Sequence, residues 1–514
     1  MNERTFYPDL PGLADPSGVA RQPKASVPVP ARVKAVERSQ AVWRAVHVED
    51  LIEADHPARA IWSLSGQLDL KGFYAPIEAV EGTAGRTPWD PRLLVSLWIY
   101  AYSRGISSAR EIGRRCAYEP AFQWLCGLEV INHHTLSDFR VAHGPALEEL
   151  FVEVLGVLGA GGLISLERVM HEGTKIKACA SADTFRREER LRASLEAAQQ
   201  QVQTLAQEAG EEPTRQEAAR KRAANERQQR LEQALQELEG IRRTKSQAKE
   251  KAQGRVSTSD PQARVMKQAG GGFAPSYNAQ ITTEASHKII VAAGLSQNSS
   301  DYGELMGGIQ RLQQNLKAKP KQMVTDAGFT SRPNILATSA AGIDLVGSMA
   351  EQQPQQRNGA NVEFAAEAFQ YDAAEDRYRC PAGQILPWAS HHEGIGVVQH
   401  HYRAEALVCG ACSFKGQCCP RSSQGRSISR SVDTPQVQQF REKMQTAQAQ
   451  EIYRQRAPVA EFPNAWIKDK LGLRQFRLRG LVKAGLELLW ACLTYNIQQW
   501  IRLCWRPGLL ASQN

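Results

Sequence analysis

The sequence has no apolar run long enough to cross a membrane. A spanning helix needs about 20 consecutive apolar residues, and the best candidate in the 514 residues, around Leu93–Tyr102, is too short. The opening segment MNERTFYPDLPG lacks the basic start and apolar stretch of a secretory signal. We therefore expect a cytoplasmic protein with no membrane partner, whose ten cysteines are reduced.

Other absences narrow the function further. The sequence has no GxxxxGK[ST] phosphate loop, so ATP hydrolysis finds no support. With 42% hydrophobic, 7% aromatic and 23% charged residues, the composition excludes collagen-like, mucin-like and wholly disordered proteins. Lys and Arg outnumber Asp and Glu by 63 to 54, which weakly indicates a polyanionic partner.

Changes in pattern divide the chain into five parts, where the length alone predicts about three domains. The predicted parts are a disordered tail (1–40), a helical, DNA-binding domain (41–163), the first part of a mixed-sheet core (164–349) with a helical hairpin insertion (184–252), a Cys-rich insertion (350–435) and the C-terminal helical part of the core (436–514). Strands followed by alternating helices and strands indicate an α/β (α+β) fold.

The helical domain is predicted to consist of short helices joined by glycine turns. Asp90-Pro91 begins one helix with a cap and a first-turn proline. Ser107 or Ser108 caps the next helix, and Thr135 opens a third. Two interpretations stay open, a helix-turn-helix-like DNA reader and a helical bundle with a solvated basic face. Both interpretations rest on the arginines clustered in this stretch, which are Arg104, Arg110, Arg114 and Arg115.

Strand patterns mark the predicted core. We predict strands over 168–171 and 175–177, separated by Glu172-Gly173, and a hairpin over 277–295. A further strand ends in Asp326. Between residue 177 and the β-hairpin at 277–295, apolar residues at heptad spacing and a break at 210–213 predict an antiparallel helical hairpin, a spacer without chemistry. The segment 350–435 is predicted to be irregular.

Three acidic residues are candidates for metal chemistry. Glu172 and Asp326 lie at strands and each is closely followed by glycine, while Glu461 lies in a helical region. Carboxylates that converge on one sheet edge can bind two Mg²⁺ ions about 3.5–4 Å apart, which suits phosphodiester chemistry. Spacing alone leaves open whether the three converge or are separate surface acids.

Basic and aromatic residues surround the last of these acids. Tyr453, Arg456 and Lys468 fall at intervals that a helix could place on related faces, where the cations could grip phosphates. A basic, solvated helix is the alternative. The stretch 466–506 is strongly basic throughout.

Half of the cysteines lie in one short stretch and predict a structural Zn²⁺ site. Cys380, Cys409 and Cys412 are the main candidates, and the fourth ligand is Cys418, as the first choice, or Cys419. Four histidines lie between them and could substitute: His391, His392, His400 and His401. The other five cysteines are predicted to be buried apolar residues.

Taken in order, several stretches resemble the DDE transposases of bacterial insertion sequences, in the subgroup with an N-terminal helical domain and a Cys cluster before the last acid. The resemblance spans roughly 45–505. The stretches that carry it are WDPRLLVSLWIYAYSRGISSAREI, AFQWLCG, HHTLSDFR, GTKIKACAS, SDPQARVMK, YNAQ, VTDAGF, YRCPAG, CGAC and RAPVAEFPNAWIKDKLGLRQFRLRGL.

This resemblance implies an RNase H-like catalytic domain that cuts the terminal inverted repeats of the element and joins the 3′-OH ends to target DNA. It implies Mg²⁺ as cofactor, held by Glu172, Asp326 and Glu461, and double-stranded DNA as partner in a homodimer. It further implies that Tyr453, Arg456 and Lys468 contact DNA, and that the cytoplasmic protein associates with the nucleoid when DNA-bound.

Two positions depart from the family pattern. The first acid is Glu172, in His171-Glu172-Gly173, where the family has Asp. Because Mg²⁺ tolerates displaced ligands poorly, this copy is expected to be slow, to prefer Mn²⁺ or to be inactive. The Phe-Gly after the final Glu is replaced by Phe462-Pro463, and the proline is expected to shift the helix start.

Two other functions stay open at this stage. One is a catalytically decayed DNA-binding protein that keeps the basic helices and the zinc module. The other is a structure-selective nuclease without strand transfer. Metal-dependent cleavage would distinguish a transposase from the decayed DNA-binding protein. Joined DNA products would distinguish it from the nuclease.

Overall fold

The computed structural model describes residues 39, 41, 43, 45–78, 87–208, 214–349 and 359–513. The predicted disordered tail and the predicted break at 210–213 lie outside these residues, apart from 39. None of the helices in the described ranges combines the length and the apolarity needed to cross a bilayer.

The helices are α1 (Pro57–Ser65), α2 (Lys71–Tyr74), α3 (Pro91–Ser103), α4 (Ala109–Cys116), α5 (Pro120–Cys126), α6 (His133–Ala142), α7 (Gly144–Ala160), α8 (Glu188–Gln207), α9 (Arg215–Arg243), α10 (Ala248–Ala252), α11 (Leu305–Leu316), α12 (Arg332–Ala340), α13 (Ala406–Gly410), α14 (Lys415–Cys418), α15 (Pro435–Met444), α16 (Ala447–Arg454), α17 (Arg456–Asp469), α18 (Leu481–Trp500) and α19 (Arg506–Gln513). A π-helical turn, Ile501–Trp505, joins the last two.

The strands are β1 (Arg168–Lys177), β2 (Phe185–Arg186), β3 (Val256–Ser257), β4 (Arg264–Lys267), β5 (Phe273–Glu284), β6 (Ile290–Ser296), β7 (Gln322–Thr325), β8 (Asp344–Gly347), β9 (Gln370–Asp372), β10 (Arg377–Arg379), β11 (Ile385–Gly394), β12 (Val397–Arg403) and β13 (Ser427–Asp433).

Local signals account for most starts of the N-terminal helices. The Asp90 side chain accepts a hydrogen bond from the backbone N–H of Arg92, and Pro91 occupies the first helical position. Ser108, rather than Ser107, caps α4. The start predicted at Thr135 is wrong by two residues, because Asn132 caps α6 through the N–H of His134.

A six-stranded mixed sheet forms the centre of the fold. Its order is β4-β5-β1-β7-β8, and β6 also pairs with β5. Strands β5 and β1 are antiparallel, whereas β1, β7 and β8 run parallel. The predicted interruption at Glu172-Gly173 is wrong, since both residues continue the ladder opposite Ile281 and Gln280 of β5.

The predicted helical hairpin is present as α8 and α9, which leave and return through the β2–β3 ribbon. Its antiparallel register follows from the Arg242–Glu188 ion pair at the base. Leu191, Ala198 and Leu238 are fully buried between the helices. The apolar core therefore lies in the half of the hairpin nearest the sheet.

The segment predicted to be irregular instead contains a second sheet. Strands β9–β13 form a five-stranded antiparallel sheet in the order β13-β12-β11-β10-β9. Strands β9 and β10 have only three residues each, which is too short for a clear alternation of polar and apolar residues. A small cluster that includes Phe369, Leu386 and Tyr402 packs on one face.

The C-terminal part is helical as predicted, but Pro463 does not shift a helix start. It lies in the interior of α17, which begins seven residues earlier. Buried Val459, Ala460 and Ile467 flank the proline and hold the helix against the sheet. The main core then joins α18 to the N-terminal helices, with the Trp98 and Trp490 ring centroids 6.5 Å apart.

Candidate catalytic site

Two of the candidate acids lie side by side on parallel strands. In the β1–β7 ladder His171 is the partner of Thr325, so Glu172 and Asp326 follow one residue further on. The Glu172 side chain is 17% exposed. Asp326 directly follows the last residue of β7 and lies in a turn, where its Oδ1 accepts a hydrogen bond from the backbone N–H of Gly328, at 2.9 Å.

Helix α17 brings the third acid and two cations to the same strand. It packs against β1 and β5. Arg456, at its start, donates a hydrogen bond from Nη1 to Oε2 of Glu172 and forms an ion pair with it. Near its end, Lys468 Nζ donates to the hydroxyl of Thr174 on β1. Glu461, between them, is exposed.

The electrostatics indicate that these carboxylates share one neighbourhood. Burial is the main cause that raises the pKa of Glu172 to about 7, and the charges of Asp326, Asp301 and Glu461 raise it further. The Arg456 guanidinium opposes this effect. Burial also lowers the pKa of Lys468. A cation bound between these carboxylates would reduce their mutual repulsion.

Tyr453 lies on α16, in a helix separate from the other predicted contacts. The guanidinium carbon of Arg456 is 5.9 Å from the centroid of its ring. The structure thus groups Tyr453 and Arg456 at the junction of α16 and α17, and Lys468 lies three turns away along α17.

The donor set suits a hard cation, but the carboxylates are not gathered into a ligand cluster. Within the described ranges, no three Asp, Glu, His or Cys side chains are arranged to hold a metal ion. Arg456 engages the Glu172 carboxylate instead. Carboxylate oxygens are the ligands that Mg²⁺ prefers, so Glu172, Asp326 and Glu461 fit the ion chemically. Arg456 would have to move away from Glu172 before that carboxylate could bind the ion.

Sequence reasoning missed a fourth acid, Asp301. Its Oδ1 accepts hydrogen bonds from Asn278 Nδ2 at 2.6 Å and Gln280 Nε2 at 2.9 Å, and its carboxylate pairs with Lys175 at 3.2 Å. It lies so close to Gly173 that a Cβ there would collide with it. Asp301 lies in the loop before α11, where an acidic residue is ordinary near a helix start. No local sequence pattern connects it to β1.

The predicted cysteine ligands line one cavity away from these carboxylates, but the described residues there do not form a metal-binding arrangement. One cavity is lined by Cys380, Cys409, Cys412, Cys418 and Cys419. The backbone N–H of Gln384 donates to Cys380 Sγ at 3.2 Å, and that of Arg426 donates to Cys409 Sγ at 3.3 Å. The four histidines offered as substitutes lie on β11 and β12 and do not line this cavity.

The predicted basic surfaces are partly neutralised. Arg114 and Arg115 form ion pairs with Glu111, while Arg104 and Arg110 are exposed. The basic stretch 466–506 is not one helix, since its central residues 471–480 form the connection between α17 and α18. There Arg477 donates to the hydroxyl of Ser107 at 2.8 Å, which ties the connection to the N-terminal helices.

Comparison with known proteins identifies the class. The family described as Transposase DDE domain matches residues 379–501, and the transposase domain DUF772 matches residues 46–142. The chain therefore carries two transposase domains, and this pair is typical of the transposases encoded by bacterial insertion sequences.

More distant comparisons add little. No curated protein matches the chain. Among solved structures, the cryo-EM structure of a piggyBac transposase synaptic complex with hairpin DNA is similar over 87% of this chain and 73% of that chain, at 8% sequence identity and a TM-score of 0.29.

Proposed function

We propose that this transposase cuts double-stranded DNA at the terminal inverted repeats of an insertion sequence and transfers the 3′-OH ends into target DNA. The proposal rests on the neighbouring Glu172 and Asp326 of parallel strands, with α17 carrying Glu461 over the same sheet. The strand order and directions of the six-stranded sheet support an RNase H-like core. Pairing two element ends requires at least a homodimer.

Glu172, Asp326 and Glu461 would hold two Mg²⁺ ions, or Mn²⁺ ions, at this edge. Bound divalent cations supply water activation and stabilise charge on the leaving oxygen. The role of the three carboxylates is to bind and orient. The raised pKa of Glu172 means that part of its population is protonated at neutral pH, so occupancy of the site favours its ionised form.

Arg456 and Lys468 would hold the backbone phosphates beside the scissile bond. Arg456 is paired with Glu172 before DNA arrives, so a phosphate must compete for the guanidinium. The release of Glu172 and the capture of phosphate are then one event. Tyr453 beside Arg456 would limit where the guanidinium can move.

Asp301 acts as a positioning residue in this proposal. It accepts hydrogen bonds from Asn278 and Gln280 of β5 and forms an ion pair with Lys175 of β1, which links the two strands beside Gly173. Because Glu172 adjoins Gly173, this network controls where the first acid lies.

We also propose a structural Zn²⁺ ion held by Cys380, Cys409, Cys412 and Cys418, one per chain. The support is the common cavity of the cysteines and the two backbone N–H groups that point at Sγ atoms. Such N–H groups stabilise the negative charge of a thiolate ligand. Cys419, buried in the same cavity, is the alternative fourth ligand.

Cleavage of labelled DNA that carries the element's own end tests the proposed chemistry. We expect site-specific cutting with Mg²⁺ or Mn²⁺ and, with target DNA present, joined products. Asp326→Asn should lower the cutting rate by at least about 10²-fold, since small misplacements of catalytic groups already have that effect. Asp344→Asn is the matched control, because Asp344 begins β8 at the opposite end of the parallel strands.

The outcomes separate the candidate functions. Equal cutting by wild type and Asp326→Asn would exclude the proposed site. Binding without cutting in either metal would indicate a decayed enzyme, and recovery of cutting by Glu172→Asp would assign the decay to that position. Cutting without joined products would indicate a nuclease.

A further inference from the structure

The outer half of β11 forms an edge of the five-stranded sheet that is exposed on both faces. Strand β10 covers only Ile385–Pro387 of this strand. All residues from Pro387 to Gly394 are exposed. On the far side β12 pairs with it up to Gly394, so the exposed edge is a fixed part of the sheet.

One face of this edge carries a row of rings. The ring of Trp388, which is 46% exposed, lies 6.1 Å from that of His391 at an interplanar angle of 29°. His391 is the cross-strand partner of His400, and their ring centroids are 6.3 Å apart. Trp388 Nε1 also donates a hydrogen bond to His400 Nδ1 at 3.4 Å.

A guanidinium extends the row. Arg430 on β13 is the cross-strand partner of His400. Its guanidinium carbon lies 4.4 Å from the ring centroid of Tyr371, and its Nε donates to the hydroxyl of Tyr402 at 3.4 Å. Within the described residues Arg430 forms no ion pair with a carboxylate.

We propose that Trp388, His391, His400 and Arg430 form a binding surface for unpaired bases of a DNA strand. Aromatic faces stack on bases without regard to sequence, and a neighbouring guanidinium attracts the phosphates. A duplex hides the faces of its bases, so the fitting ligand has unpaired nucleotides. The inference rests on the proposed function only in taking DNA as the substrate.

The location is consistent with a role near the cut DNA. The turn between β11 and β12 packs against α12, the helix after Asp326, because Gly396 leaves room for Arg332 and Leu336. Arg332 also pairs with Asp433, the last residue of β13, at 2.6 Å. The surface is therefore anchored to the element that follows the second acid.

Fluorescence anisotropy tests the surface with the full chain and no added divalent ion. The probe is a fluorescein-labelled, mixed-sequence single strand of about 12 nucleotides, which exceeds the smallest site sizes of single-strand binders. Trp388→Ala should weaken binding by roughly tenfold, the scale of one lost base stack. His391→Ala should weaken it less, and Trp388→Phe should retain it. Phe273→Ala, which removes an exposed aromatic from β5, should have no effect.

Other outcomes overturn the inference or separate it from the proposed chemistry. Unchanged binding by both Trp388→Ala and His391→Ala would exclude the surface, as would an equal loss in Phe273→Ala. A change in sedimentation of Trp388→Ala without DNA, with unchanged DNA affinity, would assign the edge to contact with a second copy. Normal cutting by Asp326→Asn together with lost strand binding by Trp388→Ala would refute the proposed chemistry and leave the surface intact.

Discussion

The two sheets of this protein are stabilised in different ways. In the six-stranded sheet nearly every residue of β5 is buried, and even polar side chains such as His171, Gln280 and Thr282 are enclosed and hydrogen-bonded to one another. The five-stranded sheet has one small apolar cluster, and much of β11 is exposed. The first sheet is supported by packed helices and the second has few such contacts.

The difference explains where each sheet can carry function. A packed sheet can fix charged groups against the cost of burial, and it holds Glu172 on β1 and the ion pair between Lys175 of β1 and Asp301. A sparsely packed sheet needs a cross-link, and it is free to present side chains to a ligand.

Removal of zinc should open the five-stranded sheet and leave the six-stranded one intact. Structural zinc sites contribute on the order of 10 kcal/mol to folding, which the cluster around Leu386 and Tyr402 cannot replace. We expect chelation, or Cys412→Ser, to increase hydrogen exchange over 370–433 while β1 and β5 stay protected. Hydrogen-exchange mass spectrometry measures both regions in one experiment.

The matched control is Cys179→Ser, which changes a cysteine outside the cysteine-lined cavity. It should leave exchange unchanged in both sheets. Metal analysis that finds no zinc in reduced protein would show the metal prediction to be wrong, and equal opening of both sheets would contradict the contrast itself.

Gly173→Ala should destabilise the six-stranded sheet. The added Cβ would collide with Asp301 Oδ1 and lie 2.9 Å from Gln280 Nε2, and neither can move without breaking the network on β5. We expect the free energy of unfolding to fall by about 3 kcal/mol, measured by urea denaturation. Gly485→Ala, in α18 with no heavy atom within 4 Å of the added Cβ, should gain up to about 1 kcal/mol. A stable Gly173→Ala protein would show that Asp301 does not restrict this strand.

A matched pair of tyrosines compares the two sheets directly. Tyr277 donates its hydroxyl to Asp260 at 2.8 Å, where both residues are buried, and Tyr402 donates to Asp376 at 2.6 Å, where the aspartate is exposed. Tyr277→Phe should lower the free energy of unfolding by about 2 kcal/mol, since a buried carboxylate loses a partner. Tyr402→Phe should have a clearly smaller effect, because water replaces the hydroxyl. Equal losses in thermal melts would show that burial does not distinguish the sheets.

Local sequence signals predicted much of the fold. Caps at Asp90 and Ser108, and the apolar spacing of the α8–α9 hairpin, act within a few residues and are therefore visible in the sequence. The five-stranded sheet was missed because its strands are short and one edge is exposed on both faces. The path of α17 through Pro463 was missed because packing of the buried helix overrides the local preference of proline.

The site was predictable only in part, because several of its contacts join residues that lie far apart in the sequence. Strand patterns closely followed by glycine marked Glu172 and Asp326, and a helical region with basic neighbours marked Glu461. Asp301 contacts Lys175 across 126 positions, and no periodicity reports a contact at that range. The pairing of Arg456 with Glu172 spans 284 positions and is likewise beyond the reach of local sequence patterns.

The smallest predicted effect is a pH dependence of opposite sign in the two sheets. The pKa of Glu172 is raised to about 7 by burial, so the folded state retains a proton that the unfolded chain has lost above its pKa of 4.5. The free energy of unfolding should therefore fall as pH rises from about 4.5 to 7, and then level off. Hydrogen bonds from Tyr402 and Tyr371 lower the pKa of Asp376, so its contribution to stability is present above pH 3.8 and is lost in more acidic solution.

Thermal melts of wild type and Glu172→Gln should diverge by about 2–4 °C between pH 5 and 7.5, with the wild type losing stability. Asp376→Asn should run parallel to wild type over that range and converge with it only below pH 4. A wild type that gains stability relative to Glu172→Gln as pH rises would mean that Arg456, rather than burial, governs the first acid.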